Sequence, residues 1–490
     1  MNKLDRYTKL GLFVIFFGHI LASFTSFGFH HPDEHFQILE WANYFAGNTP
    51  DASHLPWEFA SQIRPWFQPL LHAFFIKLFM AFGIYEPFSA ATFFRLCYAA
   101  LNIWVLIELW NYFQKKHQLS SKWFLIFSAM WFFPYIHVRT SSENLSGIFT
   151  AFALLTLVRI PQVDEKKALS AFFKSGILFG FAFIARYQIA LGMAGVAIAL
   201  LIRDRALLKT HWSMLGGFII PIALGTLLDR WGYGNWVFTP YLYYKVNIVQ
   251  NVAASFNPYP WYQYLIWILQ FIPFISIPIL YGATRFTLKN KTNVFGAFFI
   301  SYFILHWFIT NKEYRFLFPI LNFVPLLAIV WFEDSKKGKV FLKPAALSIY
   351  VTVSAVAFVG SSLRGASIKM LGPIHLVHQF TQKHPNAEWL TNLNYLEEGK
   401  YKRPFYNIRL TDGFRSEAMH LYTNQEELQQ LRSKFSEYFI YFDSNPGPQA
   451  NAMLSYLDHS GCKSVSSTLT RWASDHFNFD YQVLYYCSNL

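Results

Sequence analysis

The chain has 490 residues, of which 54% are hydrophobic, 20% aromatic and 14% charged, with a net charge of +13. Soluble domains carry about a quarter charged residues, and a soluble core of this size cannot hide so much Phe, Trp and Leu; soluble, disordered, collagenous and coiled-coil classes are excluded. Three cysteines also exclude a disulfide scaffold or a Cys-rich zinc module, which leaves a polytopic membrane protein.

The first apolar run, Leu10 to Pro32, contains no Asp, Glu, Lys or Arg and follows Lys3, Arg6 and Lys9. It is long enough to cross a hydrocarbon core of about 30 Å and lacks a small-residue exit, so it reads as a retained span and not a cleaved leader. Between 66 and 113 lie two more apolar runs, 66–83 and 89–113, one of them re-entrant or interfacial. Further spans are predicted at 121–136, 144–158, 168–186, 189–202, 213–228, 262–282, 294–310, 316–332 and 345–362. Segments 1–9, 114–122, 159–174, 203–211, 283–291 and 333–343 hold 20 Lys/Arg against 6 Asp/Glu. They are therefore cytoplasmic by the positive-inside rule. The basicity orients the spans and does not point to nucleic acid. About 11 spans follow, N-terminus in and C-terminus out.

After about residue 364 the chain turns polar. Glu426–Phe435 reads as an amphipathic helix and Tyr438–Phe442 and Tyr481–Cys487 as strands, so 364–490 is expected to be a small extracytoplasmic α/β domain after a membrane body of 1–363. Cys462 and Cys487 lie where oxidation permits a disulfide, and Cys97 reads as a buried apolar side chain.

Nineteen charged residues lie outside both the cytoplasmic loops and the tail, mostly at outer span ends. Charge at membrane depth is costly and marks a functional candidate. The densest group is His30-His31-Pro32-Asp33-Glu34-His35-Phe36-Gln37, after the first span in an outer loop covering 29–65. Pro32 suits the first turn of a helix that would place Asp33 and Gln37, four residues apart, on one side. A carboxylate fixed at the membrane surface suits a general base; a solvated helix start with acids on the dipole is the plain alternative. His31, Glu34 and His35 also fit the inverted zinc-protease pattern H-x-x-E-H, but that chemistry belongs in a water-filled soluble domain, so no metal is expected.

Asn311-Lys312-Glu313-Tyr314-Arg315-Phe316 forms a second group between two spans. It is either an ion-pair staple or a clamp on a phosphate, which Lys and Arg favour. Arg64, Arg139, Arg186 and Arg230 also fall on the outer side. A third group, Asp229-Arg230-Trp231-Gly232-Tyr233-Gly234-Asn235-Trp236, suits sugar stacking or an aromatic belt.

Four motifs occur in order: His31-Pro32-Asp33-Glu34, Arg139-Thr140 with Glu143, Asp229 with Tyr233-Gly234 and Trp236, and Lys312-Glu313 with Arg315-Phe316. In them, over about residues 10–330, the chain resembles glycosyltransferase family 22, the polyprenyl- or dolichyl-phosphate-mannose-dependent mannosyltransferases of GPI-anchor and N-glycan precursor assembly. Asn311 stands where the family usually has His, and Tyr187-Gln188 where Pro-Thr is common, departures that suit a bacterial member. The resemblance implies an all-α, polytopic GT-C fold and inverting transfer of mannose from a polyprenyl-phosphate donor. The acceptor would be a glycolipid or lipid-linked oligosaccharide, at the outer or lumenal face of a bacterial plasma or endoplasmic reticulum membrane. Asp33 is then the candidate base with Glu34 as its partner, and Lys312, Arg315, Arg64 and Arg139 receive the departing phosphate. His31, Gln37, Glu143, Asp229, Arg230, Tyr233, Trp236 and Glu313 are the candidate substrate contacts. No cofactor is expected, and no Gly-rich nucleotide cradle is present. The rival class is a transporter or flippase, against which the absence of internal repeats argues.

Overall fold

The computed structural model describes residues 5–49, 52, 55–159, 165–203, 208–363, 384, 387–392, 419–444, 448–467 and 481–488. The expected domain start at 364 and parts of the loops 159–174 and 203–211 lie outside the described residues.

Helix α1 (Arg6–Thr25) is capped by Asp5, whose side chain accepts from the amides of Tyr7 and Thr8. It stops seven residues before the end of the apolar run at Pro32. The guanidinium of Arg139 takes the carbonyls of Ser26 at 2.5 Å and Gly28 at 3.2 Å, and Gly28 sits at φ 86°. A turn anchored by a buried cation replaces the last helical turns, so hydropathy overshoots the boundary.

Between 66 and 113 the two runs become α2 (Phe67–Ala81, 15 residues) and α3 (Pro87–His117, 31 residues). At 1.5 Å per residue, α2 reaches only about 22 Å and α3 about 46 Å; only the second exceeds a hydrocarbon core of about 30 Å. Instead α2 packs against the helix Glu40–Ala46. Glu86 caps α3, accepting from the amides of Phe88 and Ser89, and Lys115, Lys116 and His117 sit in its last turn, where cations favour the dipole.

Farther along, α4 is Ser142–Val158, α5 Glu165–Ala185, α6 Ile189–Arg203 and α7 Leu208–Tyr233. Helices α5 and α7 pack closely because glycines meet across them. A Cβ on Gly176 would stand 2.0 Å from the Met214 carbonyl oxygen, and one on Gly217 2.1 Å from that of Phe173, an approach small residues allow between membrane helices. Three expected continuous spans are broken. Ser121–Ser128 is separated from Phe132–His137, and Gln263–Phe271 from Ser276–Lys289 around Pro273. Tyr314–Leu321 bends 55° from Val324–Asp334, where Pro325 disfavours helical continuation at the residue before it. Among the described residues five helices are long and apolar enough to cross a bilayer, six if that bent pair is one span; Phe67–Ala81, Ser142–Val158, Ile189–Arg203 and Val294–Trp307 are apolar but shorter, and the expected eleven counted such runs as spans as well.

The C-terminal part forms one five-stranded sheet in the order β2-β1-β3-β5-β4, with β1 Glu388–Thr391, β2 Met419–Leu421, β3 Glu437–Ser444, β4 Lys463–Ser467 and β5 Tyr481–Ser488. β1 pairs parallel with β2 and β3, while β5 runs antiparallel to β3 and β4. The expected helix and two strands are present, at Gln425–Arg432, β3 and β5; the short β1, β2 and β4 and the helix Pro448–Asp458 gave no clear period. Cys462 and Cys487 are bonded. Cys97 is half-buried rather than buried.

Candidate active site

The C-terminal end of α1 leads into a turn, Pro32–Glu34, capped by His31, whose Nδ1 accepts from the Asp33 amide at 3.2 Å. A π-helical turn, His35–Leu39, follows. Asp33 and Gln37 are linked through two intermediates, Arg64 and Glu58. Gln37 Nε2 donates to Glu58 Oε1 at 2.8 Å, and Arg64 Nη2 lies 3.7 Å from both Glu58 Oε1 and Asp33 Oδ2.

Arg315 is the hub of the cluster. Its Nη2 meets Asp33 Oδ2 at 2.5 Å, its Nη1 lies 3.2 Å from Glu143 Oε1, and its Nε donates to Glu313. Glu143, from the first turn of α4, also lies 3.1 Å from Arg186 Nη2. His31 Nε2 lies 3.3 Å from Glu313. The cluster thus sets Asp33, Glu58, Glu143 and Glu313 against Arg64, Arg186 and Arg315, with His31 beside Asp33 and Glu313, and the pairing offsets the cost of taking these charges out of water. Burial alone would raise the Asp33 carboxyl, yet Arg315, His31 and Arg64 hold it well below the usual carboxylate range. It is ionised at neutral pH.

Glu34 sits apart from these ion pairs. Its Oε1 accepts from the His30 amide at 3.3 Å, and Oε2 has no hydrogen-bond partner among the described residues. Burial pushes its carboxyl up to about 7 against the pull of Arg139. A carboxyl that holds its proton more tightly folded than unfolded stabilises the protein at low pH, and that contribution is lost as pH rises from about 4.5 to about 7. Glu34→Gln should therefore melt with the parent below about pH 4.5 and above it beyond about pH 7. Thermal denaturation across pH checks this, and a variant that melts lower at alkaline pH contradicts it.

Of the four cations expected at the donor phosphate, three are engaged elsewhere. Arg315 has all three guanidinium nitrogens on carboxylates. Arg139 gives its nitrogens to Ser26, Gly28 and the Tyr135 carbonyl. Lys312 is buried, donating to the Ile309 carbonyl beneath the Tyr264 ring. Arg64 alone of the four keeps a buried donor, Nε, without a hydrogen-bond partner among the described residues. The third motif is mostly scaffold. Asp229 accepts from the Trp66 amide at 2.7 Å and the Thr239 hydroxyl at 2.6 Å; Tyr233 donates to the Arg64 carbonyl at 2.8 Å. Arg230 donates to the Gly234 carbonyl on its own turn, and Trp236 is 68% exposed. The two histidines of the zinc-like pattern have separate partners, His35 meeting Glu40 at 2.6 Å. Among the described residues no three His, Cys, Asp or Glu side chains are disposed to hold a metal.

Glu58 and Arg186 were not among the expected site residues. Both are charged residues outside the Lys/Arg-rich loops; Glu58 pairs with nearby Arg64 and with Gln37, and Arg186 with Glu143 from another helix. An ionised carboxylate at a span end, surrounded by arginines, can take a proton from a hydroxyl and face an anionic leaving group.

Residues 10–406 match the family model described as Alg9-like mannosyltransferase. The chain belongs to this family. Among similar proteins, GPI alpha-1,2-mannosyltransferase 3 of Bos taurus is 23% identical over 72% of this chain and 68% of its own length. GPI mannosyltransferase 3 of Candida albicans is 24% identical over 91% of this chain and 87% of its own. The solved structure of ArnT from Cupriavidus metallidurans bound to undecaprenyl phosphate superposes with a TM-score of 0.52 at 12% identity, covering 98% of this chain and 97% of that one. That likeness gives the GT-C fold. Family membership makes the chain an integral membrane hexosyltransferase of the mannosyltransferase class and does not favour the transporter reading.

Proposed function

We propose that the protein moves a mannose from a polyprenyl-phosphate carrier to a lipid-linked glycan or glycolipid, with inversion at the anomeric carbon. The GPI-mannosyltransferase names of the relatives favour a glycolipid acceptor, and the undecaprenyl phosphate held by ArnT favours the carrier. The observation that carries the mechanism is the Asp33 carboxylate, ionised against Arg315 and shared with Arg64. Inverting transfer needs one base on the acceptor hydroxyl and a stabilised leaving group across the sugar ring. Asp33 takes the hydroxyl proton as the new glycosidic bond forms and the bond to phosphate breaks. Arg64, 3.7 Å from the base, is the cation assigned in this reading to the developing phosphate charge, the kind of stabilisation that lowers such a barrier most. The Lys/Arg-rich loops favour the outer or lumenal side for this end of the spans, and the reading takes residues 1–363 as the catalytic body.

Full-length protein in lipid nanodiscs, given polyprenyl-phosphate mannose and a mannose-ended glycolipid, should yield a mannolipid whose new anomeric centre is inverted by NMR. Donor consumed without a mannolipid, or with retention, overturns the reading.

A further inference from the structure

Between the end of α1 and Asp33, residues 26–31 form no helix or strand, yet they set where the carboxylate stands. One side chain fastens most of them. Arg139 is 1% exposed, and each of its three guanidinium nitrogens is bonded to the chain itself. Nη2 donates to the carbonyl of Ser26 at 2.5 Å and to its hydroxyl at 2.7 Å, Nη1 to the Gly28 carbonyl at 3.2 Å, and Nε to the Tyr135 carbonyl at 3.1 Å. The Ser26 carbonyl is one that a helix end leaves without an intrahelical partner, and the dipole favours a cation there. A second tie lies alongside, a 2.8 Å hydrogen bond between His30 Nδ1 and the Tyr135 hydroxyl. The segment that holds the turn is itself fixed. Asn144, from α4, donates to the carbonyls of His137 at 3.0 Å and Arg139 at 2.8 Å, and Asn102, from α3, to that of His137 at 3.1 Å.

We propose that Arg139 is a positioning residue for Asp33, anchoring the turn that delivers the base to Arg315 and Arg64 instead of gripping the donor phosphate. To take a phosphate the guanidinium would surrender bonds to carbonyls, each worth about 1.5–3 kcal/mol when one partner is charged, and would release the turn as it did so. The anchor and the ion pairs act from opposite sides. Arg315 meets the Asp33 side chain at 2.5 Å, with Arg64 at 3.7 Å, while Arg139 and Tyr135 hold the stretch before it. Ion pairs alone follow a carboxylate wherever its loop carries it; restraint from both sides fixes its distance to an acceptor hydroxyl. Precision matters because a misplacement of about 1 Å can cost about a hundredfold in rate. The assignment rests on the transfer reading above and adds to it a residue that touches neither substrate.

Turnover counted per carrier-binding molecule tests it. Full-length protein in nanodiscs is titrated with a short polyprenyl phosphate to count binding-competent molecules, then assayed with polyprenyl-phosphate mannose and a mannose-ended glycolipid. Arg139→Lys keeps a cation at the end of α1 but loses the planar fork that spans Ser26 and Gly28. Its kcat should fall about ten- to a hundredfold, with both KM values unchanged. The pH profile adds a readout that mere loss of folded protein does not move. Arg315, His31 and Arg64 hold the Asp33 carboxyl well below the usual range, with Glu58, Glu143 and Glu313 the acids around these cations. A carboxylate that drifts from them rises toward its ordinary value, so on acidification the variant should lose activity at a higher pH than the parent. Tyr135→Phe removes the hydroxyl tie to His30 and keeps the ring beside Arg139. It should show the same pattern at smaller size, and it carries the test should Arg139→Lys not fold. A raised donor KM with kcat kept would place Arg139 on the phosphate and overturn the assignment, as would parental kcat in both variants. Parent protein that binds the carrier yet makes no mannolipid refutes the transfer reading, whereas an active parent with indifferent variants refutes only this assignment.

Discussion

Asp33→Asn should lower the rate of mannosyl transfer by about a hundred- to ten-thousandfold, the range a positioned general base contributes, while the protein still folds. The substitution is isosteric and keeps a carbonyl oxygen for Arg315, so the contact now made at 2.5 Å can persist. Losing one negative charge from the cluster leaves Glu58, Glu143 and Glu313 facing Arg64, Arg186 and Arg315, so no large imbalance is created. What disappears is the ability to accept a proton. Initial rates at saturating donor, beside a thermal melt of the same preparation, separate the two effects. Because Arg315, His31 and Arg64 outweigh burial and hold the Asp33 carboxyl well below the usual range, the parent should not lose activity through this group until strongly acid pH. A variant retaining a tenth or more of the parental rate would remove Asp33 from the chemistry and direct attention to Glu58, the other carboxylate on Arg64.

The charges themselves were legible in the sequence, because a membrane span tolerates few of them and each must find a partner. Asp33, Glu143, Arg64 and Arg315 stood out for that reason, and all four meet in one cluster. Which cation meets which anion was not legible. Arg315 and Asp33 are 282 positions apart, and nothing local distinguishes Arg139, which fastens carbonyls at the end of α1, from Arg186, which faces Glu143. Two isolated arginines at outer span ends look alike until the helices are packed. The same holds for Asp229, whose oxygens hold the Trp66 amide and Thr239 in place of a substrate. Span breaks had a visible cause in Pro273 and Pro325, but averaged hydropathy does not register a proline flanked by Phe, Ile and Leu. In the tail, β3 and β5 run eight residues each and showed their pattern; β1, with four, is too short to show one.

Glu143→Ala should be the most destabilising single change in the membrane body. The carboxylate is fully buried and its Oε1 lies 3.1 Å from Arg186 and 3.2 Å from Arg315. Removing it leaves Arg186 with a buried guanidinium whose ion pair is gone, and deprives Arg315 of one of three. Breaking a buried pair by deleting one partner costs about 3–5 kcal/mol, because the surviving charge stays out of water; an exposed pair would cost about 0–1 kcal/mol. Glu143→Gln keeps an acceptor oxygen without the charge and should fall between parent and Ala variant. The cycle closes with Arg186→Met. In the double variant Glu143→Ala/Arg186→Met the orphaned cation is removed, so much of the lost stability should return. Melting in nanodiscs compares the four proteins. If the double variant is only as stable as the sum of the two single losses, Glu143 and Arg186 do not act as a pair.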